Sequence, residues 1–296
     1  MGPDVAVTSP DATAAVDERA ERRRERERLR RRAATRAALL ATASTIVVAV
    51  AGVLLIVNSP GWPRVRATFL SWPDLRASFP DVLTGFWLNV RIFLVAEVLV
   101  LAFGLLIAAL RGSRAPVLFP IRMLAIAYTD LFRGVPTILV IFTVGFGLPA
   151  LRLHGVPSDP VVLGTIALVL SYSAYVAEVY RAGIESVHPS QRAAARSLSL
   201  SQSQTLRYVV LPQAIRRVAP ALLNDFVSLQ KDTALVAVLG PLEAVRQAQI
   251  YTASHFNYTP YLAASLLFLL LTVPMARLTD YLAARTARLR GPGGPA

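Results

Sequence analysis

Runs of about twenty apolar residues recur along this chain, and nothing else constrains its fold as strongly. A hydrocarbon core roughly 30 Å thick is crossed by about 20 predominantly apolar helical residues. Six runs reach that length, at residues 37–57, 86–110, 121–148, 161–180, 218–239 and 258–282. The first stops at the breaker cluster Asn58-Ser59-Pro60-Gly61. A long charged stretch precedes it and no A-x-A-like cleavage site follows, so it reads as a retained anchor rather than a signal peptide. Composition agrees: 54% of the 296 residues are hydrophobic, 17% are charged, and the mean hydropathy is +0.51. Soluble domains average roughly 45–50% apolar and ~25% charged residues, so two soluble domains are excluded. The expected fold class is all-α, a polytopic membrane bundle of about six transmembrane helices.

A net charge of +13 and a pI of 11.0 would point to nucleic acid in a soluble protein. Here the arginines fall at the ends of apolar runs. Ten crowd into residues 19–36, a second set runs from Arg181 to Arg217, and Arg277, Arg285, Arg288 and Arg290 form a third. Aromatic residues are not interleaved with them as in a single-strand binder, so no nucleic-acid partner is expected. Six spans place both termini on one side. That side carries more than twenty arginines, against five in the opposite loops at 58–81, 149–159 and 241–257. The termini are therefore expected in the cytoplasm. Residues 1–36 read as a charged cytoplasmic tail. Its alternating glutamate and arginine form either a solvated helix or a disordered segment, steadying the anchor against the anionic leaflet.

Several chemistries are absent. The chain has no cysteine, and His154, His188 and His255 lie far apart in sequence, so no metal cluster is expected. Its one lysine, Lys231, lies in Leu229-Gln230-Lys231-Asp232, which is no phosphate-binding loop. No nucleophile–base pair or cofactor loop is visible. An enzyme is not expected, nor a cofactor in this chain.

Between the fourth and fifth runs lies a cytoplasmic stretch of some 35 residues, far longer than the roughly two to eight that join bundle helices. Ser190, after Pro189, is the expected N-cap of a helix over Gln191–Leu198 with Ala193, Ala194 and Ala195 at its centre. A break follows at Ser199-Leu200. Ser201 with Gln204 then reads as a capping box opening a second helix that stops at Pro212. An amphipathic hairpin resting on the membrane interface is the other reading of this stretch.

The run from Ser173 to Leu235 resembles the permease subunits of ABC importers for polar amino acids, of the histidine, glutamine and arginine type. It is similar to their E-A-A-x-x-x-G segment followed by L-P, with Glu178, Arg181, Gly183, Pro189, Gln191, Leu211-Pro212-Gln213, Pro220, Asn224 and Lys231-Asp232-Thr233 in register. Upstream, Asp130 to Pro136 resembles the family's E-x-x-R-G-T-P stretch. The likeness covers about residues 82–290, leaving the tail, the helix at 37–57, an extracytoplasmic loop at 58–81 and a disordered end at 291–296 outside it.

The resemblance implies a five-helix permease core with one extra N-terminal helix, in a bacterial plasma membrane. It implies a coupling segment at about 183–212, with Ser190, Gln191, Ala193, Ala194, Ala195, Leu198, Ser199 and Leu200 at the ATPase and Ala194, Ala195 and Leu198 as contacts. The implied partners are a cytoplasmic ATPase dimer holding ATP and magnesium, a second permease subunit of the same or a sister kind, and an extracytoplasmic solute-binding protein delivering the amino acid. The sequence departs from the pattern at two places. Ala193 stands where the family has glutamate and Ser199 where it has glycine, so Ser199 must adopt the conformation glycine normally supplies.

Polar groups inside the spans are expensive and by default suggest function. Asn224, Ser228 and Lys231 fall at i, i+4 and i+7, with Asp225 and Asp232 on the neighbouring stripe, giving the fifth span one polar face expected to look into the bundle. Asn224, Asp225 and Ser228 are candidates for a substrate path or for interhelical hydrogen bonds. Lys231 with Asp232 reads as a local ion pair locking the helix end. Glu97, near the centre of the second span, needs a partner: Arg91, Arg133 or a substrate ammonium. Glu178 and Arg181, at i and i+3, form an expected ion pair tying the fourth span to the cytoplasmic segment. Gly134 and Pro136 break the third span beside Arg133, making that point a plausible hinge. A rival reading is an ion-coupled secondary transporter or channel using Glu97, Asp225 and Asp232.

Overall fold

The computed structural model describes residues 35–113 and 115–288. Residues 1–34, most of the charged tail, and 289–296 lie outside the described residues. Among those described, the chain is helical with no strand. It divides at Val65 into two units.

The first unit holds α1, Thr35–Val57, the expected N-terminal span. It ends where the breaker cluster folds back on it: Asn58 Nδ2 donates to the Leu54 carbonyl at 2.8 Å and Ser59 Oγ to that of Ile56 at 2.7 Å. Residues 58–81, expected as a loop, are largely helical. They carry α2, Trp62–Phe69, and the opening of α3, Trp72–Gly112. The amphipathic pattern of α2 is too short to register as a span. Ser71 caps α3, with Asp74 N donating to Ser71 Oγ and a proline in the first turn.

The second unit is a bundle built around α3 and α6, Pro160–Glu185. Asp159 caps α6 by accepting from Val161 N at 2.7 Å. The third expected span is two helices, α4, Phe119–Gly134, and α5, Thr137–Ala150, bent by 110° at the break. Among the described residues four helices are long and apolar enough to cross a membrane, and the bent pair, counted as one span, makes five. The fifth expected span differs: α9, Leu211–Asp232, gives way to a 3-10 stretch, Thr233–Leu239. Arg216, Arg217, Asp225, Lys231 and Asp232 keep α9 from being apolar enough to cross alone. A short α10, Ala244–His255, and α11, Thr259–Arg288, complete the unit.

In lipid there is no hydrophobic force between helices, so close packing of small residues has to hold the bundle. A Cβ on Gly104 would lie 2.6 Å from Val176 Cγ1, one on Gly164 2.4 Å from Val236 Cγ1, and one on Gly183 2.0 Å from Val218 Cγ1. These contacts bring α6 against α3, the 3-10 stretch and α9. The core between them is Ile92, Phe93 and Val100 of α3, Leu163 and Leu168 of α6, and Ile141 of α5.

Buried polar links fix the other elements. Asn89 Nδ2 donates to Glu243 Oε2 at 3.0 Å and Asn89 Oδ1 accepts from Ala244 N at 3.1 Å. Glu243 in turn caps α10 through Val245 N and Arg246 N. Burial pushes the Glu243 carboxyl above its ordinary range, against the pull of these three donors. Gln230 Oε1 accepts from Thr272 Oγ1 at 2.6 Å, joining α9 to α11.

Candidate functional site

The cytoplasmic segment is two helices with a break, as its residues predict, but its caps differ. Helix α7 is Pro189–Ser197, and its N-cap is His188, not Ser190. The imidazole Nδ1 accepts from Ser190 N at 3.2 Å, and Pro189 takes the first position, where a missing N–H costs nothing. The capping box is present in both halves: Gln204 N donates to Ser201 Oγ at 3.2 Å and Ser201 N to Gln204 Oε1 at 2.9 Å. The helix it opens, α8, Gln202–Thr205, does not stop at Pro212. A π-turn, Leu206–Val210, leads directly into α9, so the proline falls in a first turn instead of an interior.

Between α7 and α8, Ser199 sits at φ +59°, in the left-handed region that glycine favours. Its N–H donates to the Arg196 carbonyl, and Leu200 N donates to that of Ala195, closing α7 in the manner of a glycine cap. Ala193 and Ala194 of α7 are exposed together with Arg196 and Ser197, and its C-cap Leu198 is 77% exposed. Ala195 is only 3% exposed and faces the chain's own interior, so it is not on the surface a partner could touch. Gln191 and Ser190 are exposed, and Leu200 is half-buried.

Arginine side chains pin this segment to the bundle. Arg192 Nη2 donates to the Ile184 carbonyl at 2.6 Å, and Arg217 to that of Ser186. Glu178 pairs with Arg181, as its spacing predicts, but also with Arg111 of α3 at 3.0 Å and Arg133 of α4 at 3.8 Å. One carboxylate thus joins three helices. Arg133 does not reach Glu97, because its side chain goes to Glu178 and its carbonyl accepts from Tyr175 Oη at 3.3 Å.

The polar stripe of α9 divides. Asn224 and Lys231 are exposed, facing away from this chain's own bundle, and Ser228 is half-buried. The expected inward aim fails because α6 and α11 pack on the other faces of α9. On the neighbouring stripe Asp225 and Asp232 are half-buried. Asp232 accepts from Tyr172 Oη at 2.8 Å, and among the described residues no ion pair joins it to Lys231. Asp225 and Glu97 lie within electrostatic reach of each other across α3 and α9, and Asp225 Oδ2 is buried without a hydrogen-bond partner. Arg91 does not pair with Glu97 either, since its guanidinium lies over the Trp87 ring. Tyr172, Tyr175, Arg111 and Asn89 were not singled out by sequence reasoning. Only Asn89, a lone amide in an apolar run, carried a signal.

A bent-span bundle with a short helical excursion on its arginine-rich side defines a transporter membrane component. Residues 101–288 match the family described as binding-protein-dependent transport system inner membrane component, and the chain belongs to it. It is 31% identical over 212 residues to the probable amino-acid permease protein YxeN of Bacillus subtilis, covering 71% of this chain and 93% of that one. It is also 36% identical to the probable glutamine ABC transporter permease protein GlnM of the same organism, over 65% of this chain and 88% of the relative. A solved amino acid ABC transporter with histidines superposes with a TM-score of 0.66 at 30% identity, over 73% of this chain and 98% of that one. The chain is a multi-pass membrane permease of the ABC importer type.

Proposed function

We propose that this chain translocates polar amino acids, that α7 seats in a separate ATPase dimer binding ATP and magnesium, and that both termini lie in the cytoplasm. The observation that carries the reading is the end of α7. Ser199 takes the left-handed conformation where the resembling family has glycine, and holds out Ala193, Ala194 and Leu198. Small alanines let a partner's surface approach the backbone, and the exposed leucine offers an apolar anchor. With Ala193 in place of a glutamate, α7 brings no carboxylate to the contact and Arg196 is its exposed charge.

Glu97, Asp225, Asn224 and Ser228 line the substrate path in this reading. The exposed Asn224 and Lys231 face then meets a second permease subunit, which closes the path. Closure of the ATPases swings α7, and Glu178 transmits that movement through Arg111, Arg133 and Arg181 to α3, α4 and α6. The elbow at Gly134-Pro136 is the hinge. A solute-binding protein delivers the amino acid from outside.

The test is uptake of a labelled amino acid by vesicles holding the permease with its ATPase and binding protein. Uptake is expected to stop when the ATPase is inactivated and to persist with an uncoupler. Concentrative uptake by the permease alone, collapsed by an uncoupler, would overturn the proposal in favour of ion-coupled transport through Glu97, Asp225 and Asp232.

A further inference from the structure

A cleft of about 520 Å³ opens between α3, α4 and α6, on the side of α3 away from α9. Its walls are apolar: Val95, Leu99 and Phe103 from α3 face Val162, Ile166 and Leu170 from α6. At one end stands Arg91, whose guanidinium lies 5.8 Å from the centre of the Trp87 ring. No carboxylate pairs with Arg91 among the described residues. The other end is closed by Tyr128, whose hydroxyl donates to the Leu170 carbonyl at 2.7 Å and meets Ser173 Oγ at 2.8 Å.

The dimensions identify what fits. From Arg91 to Phe103 the α3 wall rises about 18 Å, and from Val161 to Ser173 the α6 wall does the same. From Arg91 to Arg111 the distance along α3 is about 30 Å, the thickness of a hydrocarbon core. Arg91 and Trp87 therefore stand at one membrane interface, where arginine and tryptophan anchor a span. The cleft runs from that interface to just past the bilayer centre, the depth of a single acyl chain in one leaflet. Its floor is satisfied by its own hydrogen bonds and offers nothing to a polar solute.

We propose that the cleft is a binding site for an anionic phospholipid, with one acyl chain between α3 and α6 and the phosphate on Arg91. The site lies on the opposite side of α3 from Glu97 and Asp225 and does not depend on what the permease carries. One interfacial arginine contributes about 1 kcal/mol toward an anionic headgroup, which is about a five-fold preference.

The experiment is a lipid titration of the purified full chain by native mass spectrometry, comparing phosphatidylglycerol with phosphatidylcholine of the same chain length. Wild type is expected to hold one phosphatidylglycerol about five times more tightly than phosphatidylcholine. Arg91→Gln should erase that difference while leaving one lipid bound, and Leu99→Trp, which fills the cleft, should remove the bound lipid of either kind. Equal affinity for the two lipids in wild type, or tight phosphatidylglycerol binding that survives both variants, would overturn the proposal. Because the chain has no cysteine, Leu99→Cys places a unique thiol in the cleft. Disulfide-linked dimers of that variant in lipid vesicles would assign the cleft to a second copy instead, and a thiol that stays monomeric supports the lipid.

Discussion

Replacing Ser199 with glycine should tighten the end of α7. At φ +59° a side-chain-bearing residue carries about 1–2 kcal/mol of steric cost, which glycine lacks. Glycine in turn loses more backbone freedom on ordering, about 0.5–1 kcal/mol. The Ser199 hydroxyl makes no hydrogen bond among the described residues, so its removal sacrifices nothing there. The balance is about 0.5–1 kcal/mol in favour of glycine, confined to the α7–α8 break. Global unfolding is a poor reporter of so local a change, whereas amide hydrogen exchange reads it directly. The amides of Leu198 to Ser201 should exchange about two- to five-fold more slowly in Ser199→Gly. Ser199→Val should speed the same amides, because a branched Cβ in the left-handed region is strongly disfavoured. Faster exchange in the glycine variant, or indistinguishable rates in glycine and valine variants, would refute the argument that φ alone governs this cap.

Three further substitutions probe the bundle. Gly183→Ala places a methyl against Val218 and should lower the melting temperature of the purified chain, with a loss of about 1–3 kcal/mol from forcing α6 off α9. Glu178→Gln leaves Arg111 and Arg133 without their shared carboxylate, and should cost about 1–3 kcal/mol in thermal stability and reduce ATP-driven uptake more than passive substrate exchange. Asn89→Ala strips Glu243 of a donor and Ala244 N of its acceptor, so α10 should become protease-sensitive while α6 stays protected, at a loss of about 2–4 kcal/mol.

What the sequence disclosed followed from local rules. Apolar runs gave α1, α3, α6 and α11, Gly134 and Pro136 gave the break in the third span, and Ser201 with Gln204 gave a capping box whose two bonds are both made. The failures share a cause, which is that the deciding partner was distant or the backbone had a second option. Pro212 ends no helix because a π-turn upstream reshapes the ladder around it. His188 displaces Ser190 as cap because its ring reaches the amide two residues on. Asp232 bonds to Tyr172, sixty positions away, rather than to its neighbour Lys231. Glu178 was legible as a partner of Arg181, but Arg111 and Arg133 come from helices whose proximity no local pattern encodes.

The elbow between α4 and α5 has a mechanical side. Pro136 has no amide hydrogen, and the Arg133 carbonyl is occupied by Tyr175, so pivoting there tears no helical ladder. Both arms rest on α6: α4 is held to it through Tyr128 and Arg133, and α5 packs on it through Ile141 while also reaching Leu239 of the 3-10 stretch beyond α9 through Gly145. If the elbow is the hinge proposed above, travel of the 3-10 stretch pulls on α5 and bends the span like a knee at a point where no helical bond has to break.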